Sequence, residues 1–188
     1  VVAARNWLGT KASKQWVTVG HSQGGQAALG AAQYASRAQL NYKGTVAIAP
    51  ASNLASILTI GEQQASTLPI NYQIQMLAQL DTYTALIVAG MQGHNKSVTY
   101  NEVFKNDTVI LAPIAEAECS STVGVQLGTA MSIYAAGIGQ GTLTGYGRLQ
   151  SGFMSIPVID TFLKKDSQPG LAPLNKKVFI YQGEADTT

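Results

Sequence analysis

The chain has 188 residues, of which 46% are hydrophobic and 12% charged, and its formal net charge is +2. That length suits one domain or one domain with an insertion, and the apolar residues are too many and too well patterned for a disordered chain. The basic residues are scattered, so there is no basic stripe to bind nucleic acid, and no apolar run approaches the roughly 18 residues of a membrane span.

Residues 3–9 read as the end of a helix, with Gly9 as its stop. Gln15-Trp16-Val17-Thr18-Val19-Gly20 is rich in β-branched and aromatic residues and reads as a strand. The alanine-rich run from Gln26 to Arg37 reads as a helix. Gly44-Thr45-Val46-Ala47-Ile48-Ala49-Pro50 is a second strand, and Lys176-Lys177-Val178-Phe179-Ile180-Tyr181-Gln182-Gly183 a third. None of the three alternates cleanly, the pattern of parallel strands covered on both faces. Residues 51–175 are far more than a crossover helix needs. They read as helical over Ile70–Leu80, Tyr83–Met91, Val109–Ala117, Val125–Ala136 and Val158–Lys165. The expectation is an α/β fold, mostly a parallel sheet with flanking helices, carrying a large helical cap or lid. Residues 1–52 would form the core, 53–152 the cap, and 153–188 the return to the core.

Gly20-His21-Ser22-Gln23-Gly24 fits the pattern G-x-S-x-G, which gains meaning only between a strand and a helix. Both are expected here. Ser22 would then sit on a strained turn as a nucleophile, with side chains at positions 20 and 24 excluded by the close passage of the chain. The N–H of Gln23, at a helix start, would face a developing oxyanion. The plainer alternative is an ordinary glycine-rich turn with a solvent-facing serine. Asp186 lies just past the third strand, where a carboxylate can orient an imidazole; the order Ser then Asp is that of an α/β-hydrolase. Glu184 competes, but nearer the strand end it reads as a turn cap. A solvated loop carboxylate is the alternative for both.

The base is missing. Of the two histidines, His21 adjoins Ser22 and reads as packed beneath the turn. His94 precedes Asp186, against the usual order, and reads as a surface loop residue. The catalytic histidine is therefore expected after Thr188. The opening at Val1, already in a helical pattern, reads as an interior piece of a longer chain, so the absence of a signal peptide says nothing about localisation. Cys119 is the single cysteine and reads as a buried or idle thiol, or as the partner of a cysteine elsewhere. Asn95-Lys96-Ser97 and Asn106-Asp107-Thr108 match the N-glycosylation acceptor pattern. No cluster of ligand residues implies a metal.

The run Trp16–Ala28 resembles the nucleophile elbow of the secretory lipase family of fungi and bacteria, the Candida A-type lipase-like branch of the α/β-hydrolases. The likeness extends through Val46–Leu54, the size and helical character of the insertion, and the strand Val178–Gly183 ending at Asp186. It spans this chain but about half of a family member. The resemblance implies a secreted hydrolase of carboxylic esters, from short acyl esters to triacylglycerols, with no cofactor and transient contact with a lipid interface. It makes Ser22 the nucleophile, Asp186 the acid and Gln23 an oxyanion donor, and places the second donor and the histidine outside this sequence. Two other readings stand beside it. An acyltransferase or thioesterase also uses Gly-His-Ser-x-Gly, but carrier-linked transferases place Glu where this chain has Gly25. A catalytically dead fold used for binding is the other.

Overall fold

The β-branched run after Lys14 becomes strand β1, Gln15–His21. The computed structural model describes residues 1–171 and 173–186, so the last two residues of the expected return segment, 187 and 188, lie outside it. A short helix, α1 (Val2–Leu8), ends at Gly9, whose φ of 57° suits glycine. Ser22 turns the chain directly into α2, Gln23–Gln33, so the helix begins before the alanine-rich run indicates. β2 (Asn41–Ile48) lies parallel to β1, with Trp16 paired to Tyr42 and His21 to Ile48. β3 (Lys177–Tyr181) adds in parallel to β2, Val46 opposite Phe179 and Ile48 opposite Tyr181. The fold is mixed α/β, a three-stranded parallel sheet in the order β1-β2-β3 flanked by helices.

α2 buries Ala28 and Leu29, and a small hydroxyl network ties it to the sheet. Thr18 Oγ1 donates to the carbonyl of Ala28 at 3.1 Å and lies 2.6 Å from Thr45 Oγ1, which the Tyr42 hydroxyl also reaches. Buried hydroxyls cost little once bonded, so the helix start that follows Ser22 is fixed to both strands beneath it.

The opposite face departs from expectation. Burial along β1 alternates, with Trp16, Thr18 and Gly20 partly covered and Val17, Val19 and His21 exposed. Val19 is 65% exposed and its neighbour across β2, Phe179, 52%. Among the described residues the sheet is therefore covered on one face, not both. α1 buries none of its residues, and α2 packs against β1 and β2.

The chain divides into two compact units, Val1–Leu54 with Phe162–Thr188, and Ala55–Thr161. The boundaries fall at 54/55 and 161/162, where the sequence indicated 52/53 and 152/153. The second unit is helical: α3 (Leu54–Ala65, all but its first residue), α4 (Ile70–His94), α5 (Tyr100–Val103), α6 (Asn106–Leu111), α7 (Ser120–Ala136) and α8 (Pro157–Thr161). α3 was not anticipated. The expected helices 70–80 and 83–91 are one helix of 25 residues. Asp81, at the supposed break, is fully buried and receives two hydrogen bonds from Arg148, Nε to Oδ2 at 2.9 Å and Nη2 to Oδ1 at 2.6 Å. Arg148 also donates to both carboxylate oxygens of Glu62. Burial pushes the Asp81 carboxyl above its ordinary range, against the pull of Arg148. The expected helix 109–117 is instead α6 followed by a 3-10 segment, Ala112–Glu116, because Pro113 cannot continue the α-helical bonding.

Candidate active site

Ser22 has φ 55° and ψ −121°, a conformation that costs a non-glycine residue about 1–3 kcal/mol and persists only where its surroundings impose it. They do so here. The Ser22 N–H donates to the Ile48 carbonyl at 2.9 Å, and the Ser22 carbonyl accepts from the N–H groups of Gln26 and Ala51, each at 3.1 Å. The residue is thus held by the end of β2 on one side and the first turn of α2 on the other. Its side chain is exposed, and the hydroxyl makes no hydrogen bond to the described residues.

The glycines have separable roles. A Cβ on Gly20 would lie 1.9 Å from the carbonyl oxygen of Gly24, so position 20 admits no side chain. A Cβ on Gly24 would meet nothing within 4 Å, which corrects the steric requirement expected there: the helix carries that position outward. The second tight approach belongs to Gly25, whose Cβ would fall 2.9 Å from Pro50 Cα and 3.1 Å from the Ile48 carbonyl oxygen. Sequence reasoning missed Gly25; the signal was Pro50 ending the neighbouring strand. Gln23 is the first residue of α2, and its N–H makes no hydrogen bond among the described residues. It stands at the positive end of the helix beside Ser22, able to donate to an anion.

Asp186 follows β3. Its N–H closes a turn onto the Gly183 carbonyl at 3.2 Å, and Gln182 Nε2 donates to its Oδ2 at 2.7 Å. Glu184 is exposed within that turn, and Asp186 rather than Glu184 supplies the closing bond. The strand ends align, His21 opposite Ile48 and Ile48 opposite Tyr181. Ser22 and Asp186 therefore both leave the carboxyl edge of the sheet, on strands separated by β2, which is where open α/β sheets bind ligands.

His21 is exposed at the end of β1, not packed beneath the turn: alternation puts it on the uncovered face with Val17 and Val19. His94 is exposed at the end of α4. His21 makes no hydrogen bond to Ser22 among the described residues. Cys119 is exposed rather than buried, at the residue preceding α7. No group of three or more His, Cys, Asp or Glu suited to a metal occurs among the described residues, and none of their helices is long and apolar enough to cross a membrane. Comparison with known protein families, with curated proteins and with solved structures found no match.

Proposed function

We propose that this chain carries the nucleophile and the acid of a secreted serine ester hydrolase of the secretory lipase type, on an α/β-hydrolase core. The observation that carries the reading is the conformation of Ser22. A serine held at positive φ between a parallel strand and a helix, sealed by Gly20 against Gly24, is what a nucleophile elbow requires. Ser22 Oγ attacks the ester carbonyl while a histidine takes its proton. The carbonyl oxygen, now negative, is held by the Gln23 N–H. The intermediate collapses to an acyl-enzyme, and the alcohol leaves with the proton from the imidazolium. Water, deprotonated by the same histidine, then releases the acid and restores Ser22.

Asp186 orients that histidine. What supports this role is that Ser22 and Asp186 follow the carboxyl ends of β1 and β3, on either side of β2. His21 makes no bond to Ser22, and His94 precedes Asp186, against the Ser, Asp, His order of such sites, so the base is assigned to polypeptide outside these residues. The chemistry uses no metal or cofactor.

A fluorophosphonate probe tests the reading, with the labelled peptide mapped by mass spectrometry and Ser22→Ala as control. The 188-residue chain alone should not label, and a longer polypeptide that includes a histidine after Asp186 should label at Ser22. Continued silence of the longer form would refute the hydrolase reading. Labelling of the short chain at Ser22 would refute the assignment of the base.

A further inference from the structure

The basic residues lie apart in the sequence, and the fold gathers them. The unit formed by Val1–Leu54 and Phe162–Thr188 holds nine Lys and Arg against three Asp and Glu, whereas Ala55–Thr161 holds three against seven. No Asp or Glu precedes Glu62. Lys11 and Lys14 lie just before β1, Arg37 in the 3-10 turn before β2, Lys43 in β2, and Lys176 and Lys177 at the start of β3. Because the three strands are parallel, these six side chains meet at the amino edge of the sheet, and all six are exposed. The carboxylates of the same unit stand elsewhere. Glu184 and Asp186 follow β3 at the carboxyl edge, and Asp166 precedes Ser167, whose carbonyl accepts from Gln26 Nε2 of the first turn of α2 at 2.7 Å.

Local geometry draws these cations together. Trp16 pairs with Tyr42 and Val17 with Gly44, so Lys43 is the extra residue of a bulge in β2, a device that re-aims a side chain. On its other side Gly44 pairs with Lys177, and a Cβ on Gly44 would fall 2.7 Å from the Lys177 carbonyl oxygen. Lys43 therefore stands about one strand spacing, roughly 4.8 Å, from the backbone of Lys176 and Lys177. The Asn41 N–H donates to the Lys14 carbonyl at 3.0 Å, which fixes the approach to β1 beside the approach to β2. None of the six cations has an ion pair among the described residues. Like charges on neighbouring strands repel and weaken a sheet, so packing supplies no reason for the cluster, whereas an external anion does.

We propose that the amino edge of the sheet binds a linear acidic polysaccharide with carboxylates on successive sugars, a polyuronate, and anchors the chain to it while the carboxyl edge with Ser22 stays open. Strands about 4.8 Å apart space the cations much as successive sugars space their carboxylates. Lysine is a mobile point charge suited to a single carboxylate, where the arginine fork suits phosphate; five of the six cations are lysine. Single-stranded nucleic acid is held by bases stacked on aromatic rings, and Tyr34, the ring beside Arg37, already carries its guanidinium 4.5 Å from the centroid. The inference rests on the charge of this edge and not on the ester-hydrolase reading.

Fluorescence anisotropy with a labelled oligogalacturonate tests it, beside the methyl-esterified, uncharged form of the same oligomer and an oligothymidylate of equal charge. The acidic oligomer should bind at about 0.05 M salt and lose roughly tenfold or more in affinity by about 0.3 M, as counterions return to it. The methyl ester should not bind, and the oligothymidylate should bind more weakly than the uronate. K43Q/K176Q removes two cations from the edge and should weaken binding by roughly 3–30-fold, the range for two exposed ion pairs. K96Q/K165Q removes the same charge outside the edge and should change affinity by less than about twofold, because salt screens distant charges. All four altered residues are exposed, so both variants should keep their circular dichroism and melting temperature. Absence of binding at low salt, equal binding of the methyl ester, tighter binding of the oligothymidylate, or equal losses in the two double variants would each overturn the proposal.

Discussion

Substituting the three elbow glycines one at a time by alanine separates geometry from sequence pattern. The pattern G-x-S-x-G makes positions 20 and 24 equivalent; the structure does not. At Gly20 the new Cβ would stand 1.9 Å from a backbone carbonyl oxygen. No rotamer relieves a backbone–backbone clash, so the turn must open, at a cost of about 3 kcal/mol or more. At Gly25 the contacts of 2.9 and 3.1 Å predict a loss of about 1–3 kcal/mol. At Gly24 nothing lies within 4 Å. Alanine there lies in the first turn of α2, where it should be neutral or stabilising by up to about 1 kcal/mol through helix propensity and a less flexible unfolded chain. Thermal unfolding followed by circular dichroism reads this directly, since 1 kcal/mol shifts the midpoint by about 2–4 °C for a chain of this length. Gly20→Ala should fall by roughly 6–12 °C and Gly24→Ala should not fall. Equal losses at 20 and 24 would refute the assignment of the tight contacts.

Arg148→Met leaves the fully buried Asp81 carboxylate without its partner and should cost about 3–5 kcal/mol in urea unfolding; adding Asp81→Leu should recover part of that, because no charge is then left buried. Burial, and secondarily the Glu116 carboxylate, push the Tyr100 phenol from 10.0 up to about 12. Its neutral form is favoured by folding, so the stabilisation is complete below pH 10 and is lost as pH rises toward 12. Tyr100→Phe should flatten alkaline unfolding in that window, as followed by fluorescence. Gln182→Ala removes the hydrogen bond from Gln182 Nε2 to Asp186 Oδ2 at an exposed site and, on the proposed function, should slow fluorophosphonate labelling of the longer polypeptide by roughly 2–10-fold, with the melting temperature unchanged.

What was legible in the sequence is what short-range chemistry determines. The three strands and the turn at Ser22 follow from residues within a few positions of one another: β-branched runs, a glycine that must pass under the chain, and helix formers directly after. What was not legible depends on partners far along the chain. Asp81 interrupts a helical pattern when read locally, since aspartate is a poor interior residue. Arg148 answers its charge from a loop that no local signal connects to it, so one helix reads as two. α3 is obscured by Ile57, Thr59, Ile60 and Gly61. Gly61 is tolerated because the space its side chain would fill is taken by Leu80, with Cδ2 at 2.9 Å from the ideal Cβ position.

The elbow itself mixes the two kinds of information. Gly20 is fixed by Gly24, four positions on, and any reader of the motif finds it. Gly25 is fixed by Pro50 and Ile48, residues of the next strand. The same strand end takes the Ser22 N–H, and Ala51 returns a hydrogen bond to the Ser22 carbonyl. β2 thus holds the strained serine from outside the motif, a constraint that G-x-S-x-G does not encode. The carboxyl end of β2 is therefore part of the strained serine's support: a substitution that displaces Ile48, Pro50 or Ala51 should relax Ser22 toward an ordinary helix start even with Gly20-His21-Ser22-Gln23-Gly24 intact.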